Sequence, residues 1–426
     1  MLDIKFVREN IGVVKKNLEK RRDPAIIKLL EDVLKKDEHW RKLKIKVDSL
    51  KQKRNEISLE ISKLKKEKKD ASAKIKEAAD IPKEIAQIEF EMGELEKQIR
   101  DGLMRTPNML HDSVPYGKDD TENVEITTFG KKPKFDFEPK SHVDLVELHD
   151  WVDLTRAAKI SGARWYFLKG ELALLEMAIV KYAVDFMSKR GYTLVVPPFM
   201  MNRKAYEGVT SMADFEDVLY KIEGEDLYAI ATSEHPNTAM YMDEVFDEKQ
   251  LPIKMIGYST NFRKEAGAHG KDMKGIFRVH QFNKVEQLII CKPEDSWKFH
   301  EELLQNGKDF FESLGISCHV INICTGDIGI VAAKKYDIEA WMPVQNTYRE
   351  VVSCSNCTSY QAVRLNMRYQ KGEKREHVHT LNSTCVATSR ALVAIMENFQ
   401  QKDGSVKVPD VLVPYMNGVK VIRKKR

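Results

Sequence analysis

Apolar residues near the N-terminus fall into two regular series. Val33, Trp40, Val47 and Ile61 share one heptad position, and Leu43, Leu50, Ile57 and Leu64 share its partner, with Lys36 and Arg54 as the exceptions. A second series, Ala78, Ile81, Ile85, Ile88, Met92, Leu95 and Ile99, advances in alternating steps of three and four. Each is the apolar seam of a coiled coil. Between them the stretch from Lys66 to Ala73 is charged and carries no seam. A turn there makes an antiparallel helical hairpin, with each arm on the order of 45–50 Å long at ~1.5 Å per residue. Pro82 lies inside the second series and cannot donate to the carbonyl of Ala78. Either the arm kinks there or its regular part begins there.

The pattern then changes. Gly102 to about Lys132 is rich in turn formers and has no seam, which marks the end of the hairpin and a linker. Beyond it, helical stretches such as 171–190 alternate with short β-rich runs at 192–196, 253–258, 285–290 and 317–323. No glycine-rich turn links a strand to a following helix. The predicted fold class is α+β, an N-terminal antiparallel coiled-coil hairpin followed by a domain with a mixed, mainly antiparallel sheet flanked by helices. The expected boundaries are 1–103 for the hairpin domain, 104–132 for the linker and 133–426 for the second domain.

Composition removes several classes. The 426 residues are 42% hydrophobic and 32% charged, enough apolar material for a large core with a surplus of charge to place. No run approaches the ~18 apolar residues of a membrane span, and the N-terminus has no signal-peptide pattern. Six cysteines in so long a chain do not make a disulfide scaffold, so a reducing cytoplasm is expected. The net charge is only +5, but residues 41–77 hold 14 basic and 6 acidic side chains. That local field favours a polyanion such as nucleic acid. Charge alone favours a solvated helix face over that reading, and periodicity alone fits an oligomerisation coil.

The chain has no GxxxxGK[ST] loop, no GxGxxG after a strand and no HExxH. Its one CxxC, Cys354 to Cys357, lacks a second ligand pair at zinc spacing. Three segments stand out instead. Gly191–Pro198 reads as a strand stopped by a double proline. Asn261–Gly267 and Gly275–Gln287 read as strand, loop, strand, with Arg263 and Glu265 on the outward side and Phe282 and Glu286 on the return. Leu381–Arg390 runs into the apolar helix Ala391–Phe399.

In order, these segments resemble the three motifs of class II aminoacyl-tRNA synthetases. The wording Thr232-Ser-Glu-His-Pro236, Phe262-Arg-Lys-Glu-Ala-Gly267, His280-Gln-Phe-Asn-Lys-Val-Glu286, Asn346–Cys357 and Met396–Gln400 is similar to seryl-tRNA synthetases. The resemblance covers almost the whole chain, hairpin included. It implies ATP-dependent activation of L-serine to seryl-adenylate and transfer to tRNA(Ser), with tRNA(Sec) a further candidate. It also implies a cytoplasmic homodimer, no membrane, and a hairpin that holds tRNA.

Residue by residue, the resemblance implies Arg263, Arg390 and Glu350 as catalytic, with Glu350 and Ser353 holding Mg²⁺. Serine contacts fall to Thr232, Ser233, Glu234, Arg263, Glu286, Asn382 and Thr384, with either Asn382 or Thr384 touching the substrate. ATP contacts fall to Arg263, Lys264, Glu265, Val279, His280, Gln281, Phe282, Glu350, Val351, Val352, Ser353 and Arg390. The physics agrees at several of these. Guanidinium groups bind phosphate bidentately, and Mg²⁺ prefers oxygen ligands. An arginine in the first turn of a helix opposes the helix dipole unless an anion joins it. His235 reads as structural, and so does the His280 ring. Two other classes compete: an RNA-binding scaffold with a dead synthetase-like domain, and a ligase loading a carrier protein. The intact set of charged residues disfavours the first and the hairpin disfavours the second.

Overall fold

The computed structural model describes residues 1–212, 216–265 and 274–423. The chain divides into two compact units, Met1–Pro107 and Asn108–Arg426. The N-terminal unit has four helices, α1 (Ile4–Glu9), α2 (Ile11–Leu18), α3 (Pro24–Lys66) and α4 (Ser72–Arg105). Asp23 caps α3 by accepting from the Ala25 amide, and Pro24 starts it where a missing N–H costs nothing. The 43 residues of α3 and 34 of α4 correspond to roughly 65 and 50 Å. The first arm is therefore longer than its seam suggests, because it begins nine residues before Val33.

Both seams meet. Val47 and Ile57 of α3 pack with Ile81, Ile85, Ile88 and Met92 of α4, and Val33 packs with Ile99 and Leu103. Helix α4 runs through Pro82 and starts ten residues before it, so the regular part does not begin at the proline. Near the open end the helices come so close that a Cβ on Gly102 would lie 2.3 Å from Val33 Cγ2.

Cross-helix ion pairs set the register: Lys46–Glu84 at 2.7 Å, Lys51–Glu89 at 2.7 Å, Lys53–Glu77 at 2.9 Å and Lys74–Glu60 at 2.9 Å. Exposed pairs of this kind contribute ~0–1 kcal/mol each. Their larger effect is on the charge map. They neutralise lysines along the shaft, while Lys63, Lys65, Lys66, Lys68 and Lys76 around the turn are exposed. Among the described residues these five have no carboxylate at ion-pair distance.

The second unit is built on an eight-stranded sheet: β1 (Val124–Phe129), β2 (Thr193–Val195), β3 (Ile253–Phe262), β4 (Gln281–Cys291), β5 (Cys318–Asn322), β6 (Lys334–Met342), β7 (Thr347–Thr358) and β8 (His379–Ala387). The order is β1-β5-β6-β7-β8-β4-β3-β2. All neighbours are antiparallel except β2 and β3, which are parallel. The expected α+β fold is therefore observed. Strand β1 falls within the segment 104–132 and forms one edge of the sheet.

Helices Gly170–Ser188, Ser296–Ser313 and Thr388–Phe399 pack on the sheet through Leu172, Ile179, Leu303, Phe310, Leu392 and Ile395, which join β-strand residues such as Val285, Ile289, Ile338 and Val352 in one core. Alternation along β4 sends Val285 and Ile289 into that core and Phe282, Lys284 and Glu286 to a cavity. Among the described residues no helix is long and apolar enough to cross a membrane. Residues 266–273 of the segment joining β3 to β4, and 424–426 of the basic tail, lie outside the described residues.

Candidate active site

A cavity of about 440 Å³ is lined by side chains from β4, β6, β7 and β8 and by the segments 209–211, 277–279 and 328–332. Charged side chains line it although its floor is a buried sheet. Two of its arginines come from element ends. Arg263 follows β3, where its Nε donates to the Ala231 carbonyl at 3.1 Å and its guanidinium lies 5.3 Å from the Phe282 ring. Arg390 lies in the first turn of the helix Thr388–Phe399, 5.4 Å from the Phe277 ring. Its Nη1 donates to the Glu350 carbonyl at 3.0 Å and pairs with the Glu350 carboxylate at 3.3 Å. Burial, then the charge of Arg390, holds Arg263 below the usual guanidinium range. Two cations thus face one cavity and repel each other.

Glu350 and Ser353 have opposite parity along β7, so simple alternation would put them on opposite faces. The pairing of β6 with β7 slips between Ile338 and Glu339, leaving Val351 as an extra residue. This bulge turns Glu350 to the side occupied by Ser353, and both line the cavity together with Val351. Burial pushes the Glu350 carboxyl up, but Arg390, Lys335 and Arg263 outweigh it and keep the group anionic. Lys335 pairs with Asp337 at 3.2 Å on the neighbouring strand.

Three further carboxyls face the same cavity, those of Glu265, Glu286 and Glu234. Glu286 on β4 stands across from Gly257 of β3 and Thr384 of β8, and pairs with Lys284. Burial pushes Glu286 up. Glu234, the first residue of the short helix Glu234–Ala239, is pushed up to about 7 by burial and then by the Glu286 charge. Its Oε1 accepts from Gln361 Nε2 and from Asn382 Nδ2, each at 3.0 Å. Thr232 Oγ1 accepts from the Glu234 amide at 3.3 Å. Beside them burial pushes His235 down to about 3, so its ring is neutral.

Of the residues expected from sequence, Thr232, Glu234, Arg263, Glu265, Val279, Phe282, Glu286, Glu350, Val351, Ser353, Asn382, Thr384 and Arg390 line this one cavity. Five have side chains elsewhere. Ser233 is fully buried and donates to the Gly257 carbonyl at 2.9 Å. A Cβ at Gly257 would lie 2.5 Å from Ser233 Oγ, so glycine admits the turn against β3. Val352 points into the core. Lys264 and Gln281 are exposed outside the cavity lining.

His280 braces the backbone of Arg263. Its carbonyl accepts from the Arg263 amide at 2.9 Å, its Nδ1 lies 2.8 Å from the Arg263 carbonyl, and its ring stacks on Trp165. Sequence reading missed Phe277, Arg278, Lys284, Lys335, Gln361 and the 209–211 wall. Lys284 carried a signal, being two residues before Glu286 on the same strand face; Gln361 carried none. The CxxC is no ligand set, because Cys354 is in the core while Cys357 lines the cavity. Among the described residues no cluster of three or more His, Cys, Asp or Glu side chains is arranged to hold a metal.

This sheet, with one arginine beyond a strand end, another at a helix start and a polar cavity between, defines a class II aminoacyl-tRNA synthetase core. Residues 218–399 match the family described as the tRNA synthetase class II core domain (G, H, P, S and T), and residues 1–110 match the seryl-tRNA synthetase N-terminal domain. A serine–tRNA ligase from Methanocella arvoryzae is 58% identical over 425 residues, covering 99% of this chain and 100% of that protein.

Among solved structures, seryl-tRNA synthetase from Pyrococcus horikoshii complexed with ATP is 47% identical with a TM-score of 0.94, covering 100% of both chains. The cytoplasmic serine–tRNA ligase of Naegleria fowleri in complex with AMP is 39% identical with a TM-score of 0.89, covering 100% of this chain and 99% of that one. The chain belongs to the seryl-tRNA synthetase family.

Proposed function

We propose that the 440 Å³ cavity activates L-serine with ATP and passes the seryl group to the terminal ribose of tRNA(Ser). The observation that carries this reading is the pair Arg263 and Arg390, two guanidinium groups facing one cavity at a mutual electrostatic penalty. An anion between them removes that penalty. In the first step a serine carboxylate oxygen attacks the α-phosphorus in line and the bond to pyrophosphate breaks. Both reactants are anionic, so the protein must supply positive charge and alignment, and no covalent nucleophile is needed. Arg263 suits the α-phosphate and the carboxylate, and Arg390 the leaving phosphates. Phe282 offers its ring to adenine, with Val279 and Glu265 alongside.

The residues present fit Mg²⁺. Glu350 supplies one carboxylate kept anionic and Ser353 one hydroxyl on the same face, leaving further positions for water and phosphate oxygens, as this ion requires. When bound it would neutralise phosphate charge. Glu234 and Glu286 provide the negative charge for the serine ammonium group. Asn382 and Thr384 offer polar contacts to the hydroxyl, and Asn382 already donates to Glu234. Such a pocket rejects alanine because buried polar groups would be left unpaired, a discrimination that can reach ~10⁴-fold.

The hairpin, read as residues 1–103, serves tRNA. Lys63, Lys65, Lys66, Lys68 and Lys76 are exposed around its turn, where they can follow phosphates without reading bases. Residues 104–132 then join it to the catalytic domain, expected as 133–426, and contribute β1 to that domain's sheet. A second copy of the chain suits the edge at β2, where Leu194, Val196, Leu174 and Met177 are exposed beside an apolar groove. ATP, serine and tRNA meet in the cytoplasm, which is the location this reading favours. ATP–pyrophosphate exchange with each amino acid tests it. Exchange with serine and far less with alanine or threonine is expected, and absence of exchange with serine overturns it.

A further inference from the structure

Gln361 lies outside the cavity lining and outside every motif considered above, yet it joins three of the walls. It is fully buried in the short helix Tyr360–Leu365, which follows β7. Its Nε2 donates both hydrogens, one to Glu234 Oε1 at 3.0 Å and one to the Val209 carbonyl at 3.0 Å. Its Oε1 accepts from Thr380 Oγ1 at 2.6 Å. The Val209 oxygen and the Glu234 carboxylate can only accept, so the amide has a single satisfactory orientation. Both Gln361 and Asn382 converge on Glu234 Oε1, which leaves Oε2 for the cavity that Glu234 lines.

We propose that Gln361 is the positioning residue of the serine site, orienting the Glu234 carboxylate and keeping it anionic for the substrate ammonium group. The inference rests on Glu234 serving serine, as argued above. Burial and the Glu286 charge both push the Glu234 proton to stay on; the Gln361 amide opposes them beside the Asn382 amide, with Lys284 and Arg263 adding positive charge. The remaining titratable groups around it are His235, neutral through burial, and the Cys357 thiol, held protonated. Hydrogen bonds to a charged group in such a setting are the strong ones. None of the residues bonded in this network, Val209, Glu234, Thr380 and Asn382, is among those assigned to ATP, so its loss should be felt by one substrate only.

The test is ATP–pyrophosphate exchange across pH 5.5–8.5 with Gln361→Met and Gln361→Glu in the full-length chain. Loss of a bond to a charged group predicts a serine KM raised ~10- to 100-fold in Gln361→Met, with ATP KM nearly unchanged. The acid limb of kcat/KM for serine moves to higher pH, because Glu234 holds its proton longer. Gln361→Glu discriminates positioning from packing. Its carboxyl can donate the same bond only while protonated, so serine KM, taken relative to the unsubstituted chain at each pH, is least affected at low pH and worsens as pH rises.

Unchanged serine KM and pH profile in folded Gln361→Met overturns the inference. Equal losses for serine and ATP in both variants at every pH overturn it too, since they would mark a collapsed cavity. Exchange by the unsubstituted chain is the control on the underlying reading, which stands or falls on that measurement separately.

Discussion

Glu234 carries a stability penalty that the proposed serine ammonium contact would relieve, and replacing it should expose the size of that penalty. In the empty cavity its carboxyl is raised from the ordinary 4.5 to about 7 by burial and by Glu286. A carboxyl with a raised folded value contributes stability that is fully present below pH 4.5 and is lost as pH climbs through about 7. The interval corresponds to about 3 kcal/mol at 1.36 kcal/mol per unit. Glu234→Gln has the shape of the protonated acid, and its amide oxygen can still accept from Gln361 and Asn382.

The variant should therefore match the parent in stability near pH 4.5 and exceed it by about 3 kcal/mol at pH 8. Its serine kcat/KM should nevertheless fall ~10- to 100-fold, as expected for losing a charged hydrogen-bond partner. Urea denaturation followed by tryptophan fluorescence reads this unit well, because four of the five tryptophans lie beyond residue 107. A stability difference that does not change between pH 4.5 and 8, or a variant less stable at pH 8, would refute the reasoning.

Three further outcomes follow from the same geometry. Arg390→Lys keeps the charge but loses the planar fork that contacts Glu350, and exchange should drop by at least ~10²-fold; near-normal exchange would remove Arg390 from the reaction. Glu350→Gln should raise the Mg²⁺ concentration needed for half-maximal exchange, and an unaltered Mg²⁺ dependence would place the ion elsewhere. Deleting residues 32–100 should leave serine-dependent exchange intact and abolish tRNA charging. Undiminished charging would take the hairpin out of tRNA binding.

How much was legible depended on whether one periodicity held along an element. The seams of α3 and α4 repeat every three or four residues over many turns, and both series met in the structure. Strands β3 and β4 were legible in part, since their core faces are apolar. Strands β6, β7 and β8 left little apolar pattern, because one face lines a polar cavity while the other is buried. Thr347–Thr358, for example, reads as a mixture of serine, asparagine and cysteine. Motif wording located the cavity residues, but the orientation of a side chain within a motif is a backbone matter. Ser233 was expected to face serine and is turned under β3, and Val352 faces the core where Glu350 and Ser353 on either side do not. The bulge at Val351 that causes this leaves no mark in the amino-acid sequence. Gln361 was invisible for another reason, since its three partners lie 19 to 152 positions away along the chain.

The cavity holds like charges in two sets, the guanidinium groups of Arg263 and Arg390 and the carboxyls of Glu234 and Glu286. Burial disfavours the charge in both sets, and the neighbouring like charge adds to it for Arg263 and Glu234, as the lowered Arg263 and the raised Glu234 and Glu286 values record. A free amino acid beside ATP supplies the complementary pattern, with an ammonium for the carboxyls and anionic oxygens for the guanidiniums. The same argument explains why neither set alone would do. Arginines without the carboxyls would hold ATP but leave the ammonium of serine unpaired next to two cations. Carboxyls without the arginines would repel the phosphate that serine must attack. The residues that resist being buried together are thus the ones whose conflict a bound substrate pair resolves, and Gln361 acts on the side of that balance that belongs to serine.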